Sequence, residues 1–172
     1  MISSLSVATA IAIAPSAYPP VELNHNLTKS VQMVASVHAI IDVINDVRRK
    51  GATCGEDRFE PQRPIRMDYR LNLSAGVHSS SMALYGFFGH VDIYGKRADS
   101  RIELYGYYPK HWGEVLAKTN QFSPKHVVDL WLASYTHCIQ LLRPSYKHVG
   151  VGIAYIPITG EYIVTVNFGA ER

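Results

Sequence analysis

Charged residues are scarce in this sequence, and no long run of one sign occurs. Asp, Glu, Lys and Arg make up 18% of the 172 residues, and the formal net charge is +3. The longest basic run, Arg48-Arg49-Lys50, is too short for the basic stripe typical of nucleic-acid-binding proteins. We therefore expect no nucleic acid among the partners, whereas smaller anionic partners remain compatible with this composition.

Cysteine is also scarce. The two residues, Cys54 and Cys138, lie far apart, and neither belongs to a Cys-x-x-Cys pair. This spacing argues against a zinc ribbon and against a thioredoxin-like redox motif. From the residues alone two states remain open, which are one long-range disulfide or two buried thiols.

No hydrophobic run reaches the length of about 20 residues that crossing a bilayer requires, so we expect no transmembrane span. Residues 1–25 are nevertheless rich in small apolar side chains, and they include the sequence Ala-Pro-Ser-Ala, which is typical of a signal-peptide cleavage site. No Lys or Arg precedes Lys29, so the positively charged start of a signal peptide is missing. We interpret residues 1–25 as a remnant signal peptide and expect a secreted or periplasmic protein.

Residues 26–172 have the length and composition of one globular domain, since 47% of the whole chain is hydrophobic. From Asn26 apolar residues recur at helical spacing as far as Lys50, and Gly51 follows. Basic residues in the last turn and a glycine after it favour a helix end at this point. The composition then changes to Gly, Pro and charge, which predicts an irregular connection from Ala52 to Arg66.

Capping residues predict three further helices. Three patterns typical of a helix start occur: an aspartate at Asp68, a serine three residues before a glutamate at Ser100, and a serine followed by proline at Ser123. The predicted helices run from Asp68 to Gly86, from Ser100 to Gly106, and from Ser123-Pro124 onward.

The carboxy-terminal part alternates with the period of β-strands. In the first strand, bulky residues alternate with Gly150, Gly152 and Ala154, so one face is flat enough for a helix or a ligand to approach the backbone. A second strand follows the turn at residues 157–160, and residues 113–117 form a third candidate. Helices first and strands last predict an α+β fold in which helices cover a small antiparallel sheet.

Seven segments between about Ile40 and Gly169 carry a resemblance to a known family. They are "INDVRRKGATCG", "LNLSAGVHSSSMALYGFFGH", "RIELYGY", "GEVLA", "VVDLWLASYTHCIQLL", "YKHVGVGIAY" and "YIVTVNFG". In this order they resemble the CAP superfamily of cysteine-rich secretory proteins, antigen 5 and plant pathogenesis-related proteins, and in particular its short bacterial branch. The resemblance implies that residues 26–172 form a three-layer α-β-α sandwich.

The resemblance also implies a cleft, which in the family is lined by two histidines and two glutamates. His90 of "FFGH", Glu114 of "GEV" and His137 of "SYTH" match three of these positions. Ser134 stands where the second glutamate would be, and Val115 stands where "GEN" would place asparagine. The implied site is therefore a reduced version of the family's site.

A disulfide is implied in the same way, because "TCG" and "THC" occur together in the bacterial branch. We therefore expect Cys54 to be bonded to Cys138. Closing a loop of roughly 84 residues stabilises a fold by about 4 to 5 kcal/mol in the chain-entropy account.

Two kinds of chemistry suit His90, Glu114 and His137. Two imidazoles and a carboxylate form the ligand set of a catalytic zinc site with water in the fourth position, so zinc is the one candidate cofactor. Without metal, Glu114 can orient a histidine that accepts a proton. The cleft can equally be a set of mutually hydrogen-bonded side chains without turnover.

We interpret the protein as a ligand- or partner-binding module rather than an enzyme, with a zinc-dependent hydrolase of peptide or cell-wall material as the alternative. The ligand class follows from aromatic side chains that precede Glu114, which suit a lipid, a glycan or a peptide. A protein partner is the other candidate, and we expect a monomer. These aromatic residues are Tyr105, Tyr107, Tyr108 and Trp112.

Overall fold

The structure is a computed structural model that describes residues 25–171, with side chains in the first helix described from residue 33 onward. The predicted signal-peptide remnant lies outside the described residues, apart from His25. The helices are α1 (His25–Lys50), α2 (Tyr69–Tyr85), α3 (Ala98–Glu103), α4 (Pro124–Leu132) and α5 (Tyr135–Leu141). The strands are β1 (Ala52–Cys54), β2 (Asp57–Phe59), β3 (Arg66–Met67), β4 (Pro109–Thr119), β5 (His148–Ile156) and β6 (Glu161–Glu171).

The main sheet has four strands in the order β3-β5-β6-β4. The long strands β4, β6 and β5 are antiparallel, which confirms the predicted hairpin and extends the predicted third strand. The short strand β3 runs parallel to β5, so the expectation of a purely antiparallel sheet was wrong at this edge. The segment predicted as irregular also contains the β1–β2 hairpin, whose three-residue strands are too short to give an alternating pattern.

Helices cover both faces of this sheet and make three layers. Helices α1 and α4 pack on one face, where Ile44, Val128 and Trp131 share a core with strand residues Val115 and Val166. Helix α2 lies on the opposite face along β5 and β6, and α3 lies beside β4. Each layer buries one apolar stripe against the sheet, as expected for an α-β-α sandwich.

The predicted ends of α1 and α2 are confirmed. Gly51 and Gly86 follow the two helices with φ values of +68° and +69°, the left-handed conformation that glycine adopts without strain. Asp68 caps α2 by accepting a hydrogen bond from the Arg70 backbone N–H at 2.9 Å. Ser123 caps α4 in the same way through the His126 backbone N–H.

The predicted start of α3 was wrong by three residues, because Ser100 was expected as the N-cap and Arg97 holds that position. Ser100 lies inside the helix, and the change from extended to helical backbone occurs at Arg97. Ala98, Arg101 and Ile102 are buried on the inner face, so packing against the sheet sets the helix start. A local capping pattern could not reveal this tertiary constraint.

Two glycines allow α2 to approach the sheet closely. A Cβ atom on Gly150 would overlap the backbone at Leu71 and Asn72, and one on Gly152 would overlap the backbone at Ala75. The flat strand face predicted from the sequence is therefore occupied by a helix. The side chain of Ser79 adds a hydrogen bond to the Gly152 carbonyl at 3.1 Å.

A disulfide joins Cys54 in β1 to Cys138 in α5, as the resemblance implied. Both cysteines are fully buried, in a small apolar cluster with Leu142. Because the bond links residues 84 positions apart, it restricts the unfolded chain strongly. None of the described helices combines the length and the apolar character needed to span a membrane.

Gly152→Ala is expected to lower the free energy of unfolding by about 1 to 3 kcal/mol, because the added methyl group forces α2 away from the sheet. Gly76→Ala, in α2 at the point where Gly152 meets the helix, is the matched control. A Cβ there meets no atom within 4 Å, so replacing a helical glycine should stabilise by about 0.5 to 1 kcal/mol. Chemical denaturation measures the free energy of unfolding of both variants. Equal effects of the two substitutions would contradict the interpretation that Gly152 is required for close packing of α2 on the sheet.

Candidate functional site

His90 lies in the loop that follows α2. Two hydrogen bonds hold the backbone beside it, from the Arg101 guanidinium to the His90 carbonyl at 2.8 Å and between His78 Nε2 and the Gly89 carbonyl at 2.9 Å. The His90 side chain is about half exposed, at 50%. Phe88 is also about half exposed, while Phe87 packs against the buried cluster of Met82, Leu116 and Ile163, so polar contacts and one aromatic ring fix the loop.

Glu114 lies in the middle of β4, opposite Asn167 of β6. Its side chain is only 2% exposed. Strand alternation turns Glu114 toward the layer of α2 and α3, while its neighbour Val115 enters the apolar core on the opposite face. Val115 is therefore a core residue, which fits the absence of asparagine at this position.

Both carboxylate oxygens of Glu114 have partners. Oε1 contacts His90 Nδ1 at 2.8 Å, and Oε2 contacts Arg101 Nη2 at 2.5 Å. An ionised carboxylate can only accept hydrogen bonds, so His90 donates from Nδ1. When the His90 ring is neutral, its Nε2 then carries no proton and can accept one.

Arg101 is the residue that sequence reasoning missed. Its side chain is only 6% exposed and bonds the Glu114 carboxylate, and its Nη1 donates to the carbonyls of His90 and Lys96 at 2.8 and 2.7 Å. One guanidinium thus holds the carboxylate and two points of the loop between α2 and α3, at His90 and at Lys96. The spacing of Ala98, Arg101 and Ile102 was a usable signal, because it places Arg101 on the buried face of α3.

His137 lies in the first turn of α5 and is partly buried. Burial, and secondly the charge of nearby His90, lower the pKa of His137 below its ordinary value. Within the described part of the chain, His137 makes no hydrogen bond or ion pair with His90 or Glu114. The structure therefore joins two of the three predicted site residues directly and leaves the third as a neighbour.

A cleft of about 350 Å³ opens beside His90 and Glu114. Ser134, at the position of the missing glutamate, lies outside its lining and contacts Thr136 through its hydroxyl group at 3.3 Å. The lining combines one aromatic ring with several polar and charged side chains. It comprises His90, Arg97, Ala98, Trp112, Gly113, Glu114, Gln140 and Arg143.

The side chains do not fit a three-ligand zinc site. Among the described residues, no group of three His, Cys, Asp or Glu side chains could hold a metal ion. Glu114, the carboxylate expected as a ligand, uses one oxygen for His90 and the other for Arg101. What the arrangement offers is a histidine oriented by a buried carboxylate, able to exchange a proton or hydrogen-bond a ligand through Nε2.

Comparison with known proteins gives a family match and a shared fold. The family model described as "Cysteine-rich secretory protein family" (CAP) matches residues 41–168. The uncharacterized protein YkwD of Bacillus subtilis is 33% identical over 101 residues, which cover 58% of this chain and 38% of that protein. The chain thus spans well under half of this curated relative.

Two solved structures illustrate the fold. The crystal structure of an extracellular protein containing a SCP domain, from Bacillus anthracis, is 19% identical with a TM-score of 0.71, covering 87% of this chain and 44% of that chain. The crystal structure of NaASP2 with Zn2+ is 12% identical with a TM-score of 0.52, covering 78% of each chain. The predicted three-layer fold is therefore confirmed.

The midpoint of His137 protonation in the folded protein should lie below the ordinary value of 6.5. The unfolded chain then binds this proton more readily than the folded protein does. The free energy of unfolding therefore falls as the pH drops from 6.5 toward the lower pKa of His137 in the folded protein. His90→Asn should raise the midpoint only in part, because burial is the larger cause. NMR titration of the imidazole signals, with denatured protein as the reference, measures this, and a folded midpoint above the denatured one would refute it.

Arg101→Met is expected to destabilise the fold by about 3 to 5 kcal/mol, because it leaves the buried Glu114 carboxylate without its cation. Adding Glu114→Gln should recover part of this loss, since a neutral amide needs no counter-ion. The exposed pair of Lys125 and Asp129 is the matched control, and Lys125→Met should change little. Denaturation of the single and double variants measures the coupling, and additive losses would show that Arg101 and Glu114 act independently.

Proposed function

Because the chain belongs to the cysteine-rich secretory protein family, we propose that it is a secreted or periplasmic binding module whose cleft at His90 and Glu114 takes an anionic ligand. The disulfide between Cys54 and Cys138 supports this location, since such bonds persist in oxidising compartments. Cell fractionation with trapping of free thiols checks it, and both cysteines recovered as free thiols in a cytoplasmic fraction would contradict it.

The observation that carries the proposal is the fixed geometry of His90 and Glu114. The contacts from Arg101 hold the carboxylate and the loop in place before any ligand arrives, so binding costs little ordering of these groups. Because His90 Nδ1 is bonded to Glu114, the Nε2 atom of the same ring is the one that faces a ligand in the cleft. A preformed concave site with a few oriented polar groups is typical of small-ligand binding.

The charges around the cleft favour a negatively charged ligand. Arg97 and Arg143 line it, and neither forms an ion pair among the described side chains. Arg97 lies over the Trp112 ring at 5.9 Å, and the one acidic residue of the lining, Glu114, is already neutralised by Arg101. Arg143 lies over the Tyr146 ring at 5.8 Å. A carboxylate on a glycan or a peptide would meet two guanidinium groups that have no carboxylate partner among the described residues, beside an aromatic face.

A zinc-dependent hydrolase remains the alternative from the sequence, and no contact in the cleft favours it. Recruiting Glu114 as a ligand would require breaking its bonds to Arg101 and His90. The NaASP2 structure with Zn2+ shows that a protein of this fold has been crystallised with the ion. The binding proposal therefore includes no metal.

The test uses a matched ligand pair, N-acetylmuramic acid and N-acetylglucosamine, which differ in a carboxylate-bearing group. The acid should shift the Trp112 and His90 NMR signals saturably, and the neutral sugar should bind at least about 10-fold more weakly. Arg97→Gln with Arg143→Gln should remove this preference. Lys50→Gln with Arg58→Gln, which changes the net charge equally at exposed positions outside the cleft, should retain it. Equal binding of both sugars would refute the charge argument, and no response at His90 or Trp112 would refute the site.

A further inference from the structure

A second concave surface, which we call the edge pocket, lies where β3 joins the sheet. It has a volume of about 540 Å³, and the Arg63, Arg66, Lys147 and His148 side chains line it together with Tyr146. No acidic residue lines it. This concentration of positive charge is local, because the whole chain carries a net charge of only +3.

Three of the lining side chains are cationic and free of ion pairs among the described residues, whereas His148 Nδ1 already bonds the Tyr107 hydroxyl group at 2.9 Å. Arg63, Arg66 and Lys147 form no ion pair with any described side chain. Asp68 is an electrostatic neighbour of His148, and Asp68 and Glu171 are electrostatic neighbours of Tyr107. Both carboxylates are bonded to Arg70. The charge of the edge pocket is therefore available to a ligand from solution.

The backbone under these side chains is held in place by hydrogen bonds. Arg66 and His148 are register partners of the parallel β3–β5 pair, so their side chains project side by side. The Arg66 N–H donates to the Lys147 carbonyl at 2.9 Å, and the Lys147 N–H donates to the Gly169 carbonyl at 2.9 Å. Strand pairing thus fixes the spacing of Arg66, Lys147 and His148.

Two buried polar residues of α1 fix the rest of the pocket wall. Asn45 bonds both the N–H and the carbonyl of Ile65, at 2.8 and 3.0 Å. Arg48, which is 1% exposed, donates to the carbonyl of Arg63 at 2.9 Å and to that of Leu141 at 2.6 Å. Segments on both sides of the edge pocket are therefore tied to one guanidinium inside the protein.

We propose that the edge pocket binds a phosphate group of a phosphorylated ligand. Arginine side chains present planar forks of N–H donors that match phosphate oxygens, and a lysine adds a compact positive charge. Two arginines and a lysine around one concavity can surround a doubly charged group, with His148 as a polar neighbour, while a single carboxylate would leave most of these donors unused. This site is separate from the cleft at His90 and does not depend on the function proposed for it.

The experiment uses the full chain and inorganic pyrophosphate as the probe, with NMR shift titration at constant ionic strength. Saturable shifts are expected at residues 63–66 and 146–148. Arg63→Gln, Arg66→Gln and Lys147→Gln together should weaken binding at least about 10-fold, because each removes a charge-assisted hydrogen bond. Because the three side chains are exposed, the triple variant should remain folded, and circular dichroism checks this.

A charge-matched control separates the pocket from general attraction. Lys50→Gln, Arg58→Gln and Lys110→Gln remove the same charge from exposed positions outside both concave sites and should leave pyrophosphate affinity within about twofold. Equal weakening in the two triple variants would overturn the proposal. A complete absence of saturable binding, both of pyrophosphate and of the anionic vesicles described next, would also overturn it. So would a loss of pyrophosphate binding that is confined to the Arg97→Gln and Arg143→Gln variant.

A second arm distinguishes the source of the phosphate. Vesicles of equal phosphatidylglycerol and phosphatidylcholine are compared with vesicles of phosphatidylcholine alone in a flotation assay. Pocket-dependent binding to the anionic vesicles identifies a lipid headgroup as the phosphate source. Pocket-dependent binding of pyrophosphate without vesicle binding supports a soluble phosphorylated ligand.

Discussion

The close contact of α2 with β5 is the constraint on which the site depends. Gly150 and Gly152 lack the Cβ atoms that would overlap the α2 backbone, so the helix can reach the sheet there. The end of α2 fixes the start of the loop that carries His90, and the sheet carries Glu114. The distance between these two side chains is therefore set by how closely the helix packs, and two missing methyl groups decide it.

The buried carboxylate of Glu114 explains why the surrounding residues are arranged as they are. A carboxylate removed from water requires compensating positive charge and hydrogen bonds, and Arg101 and His90 supply them. The same guanidinium bonds the carbonyls of His90 and Lys96 in the loop. Electrostatic compensation and loop positioning are thus accomplished by one side chain, and a half-exposed imidazole remains at the cleft.

Features encoded by local sequence were predicted well. The ends of α1 and α2 follow from glycine and from the Asp68 cap, and the hairpin follows from alternation, because these signals act over a few residues. The family resemblance supplied the layer order and the pairing of Cys54 with Cys138. The parallel strand β3 and the start of α3 were missed, since pairing and burial across the chain determine them.

The candidate site was predictable only in part for the same reason. His90 and Glu114 came from motifs, and the structure brings their side chains together. Arg101 lies in a helix whose start was predicted wrongly, and its burial on the inner face depends on tertiary packing. His137 has the expected position along the chain, yet its side chain makes no bond to the other two. Which side chains can bind one ligand together depends on the distances between them, and the order of residues in the sequence does not determine these distances.

Arg48 has a consequence for how the chain acquires its structure during synthesis. Its guanidinium, buried in the finished protein, bonds the carbonyls of Leu141 and Arg143, which lie 93 and 95 residues later. Until the ribosome has released that part of the chain, the Arg63 carbonyl is the one acceptor available among those that Arg48 bonds in the folded protein. Contacts of such long sequence separation form late, so the amino-terminal helix cannot settle before nearly the whole domain has emerged.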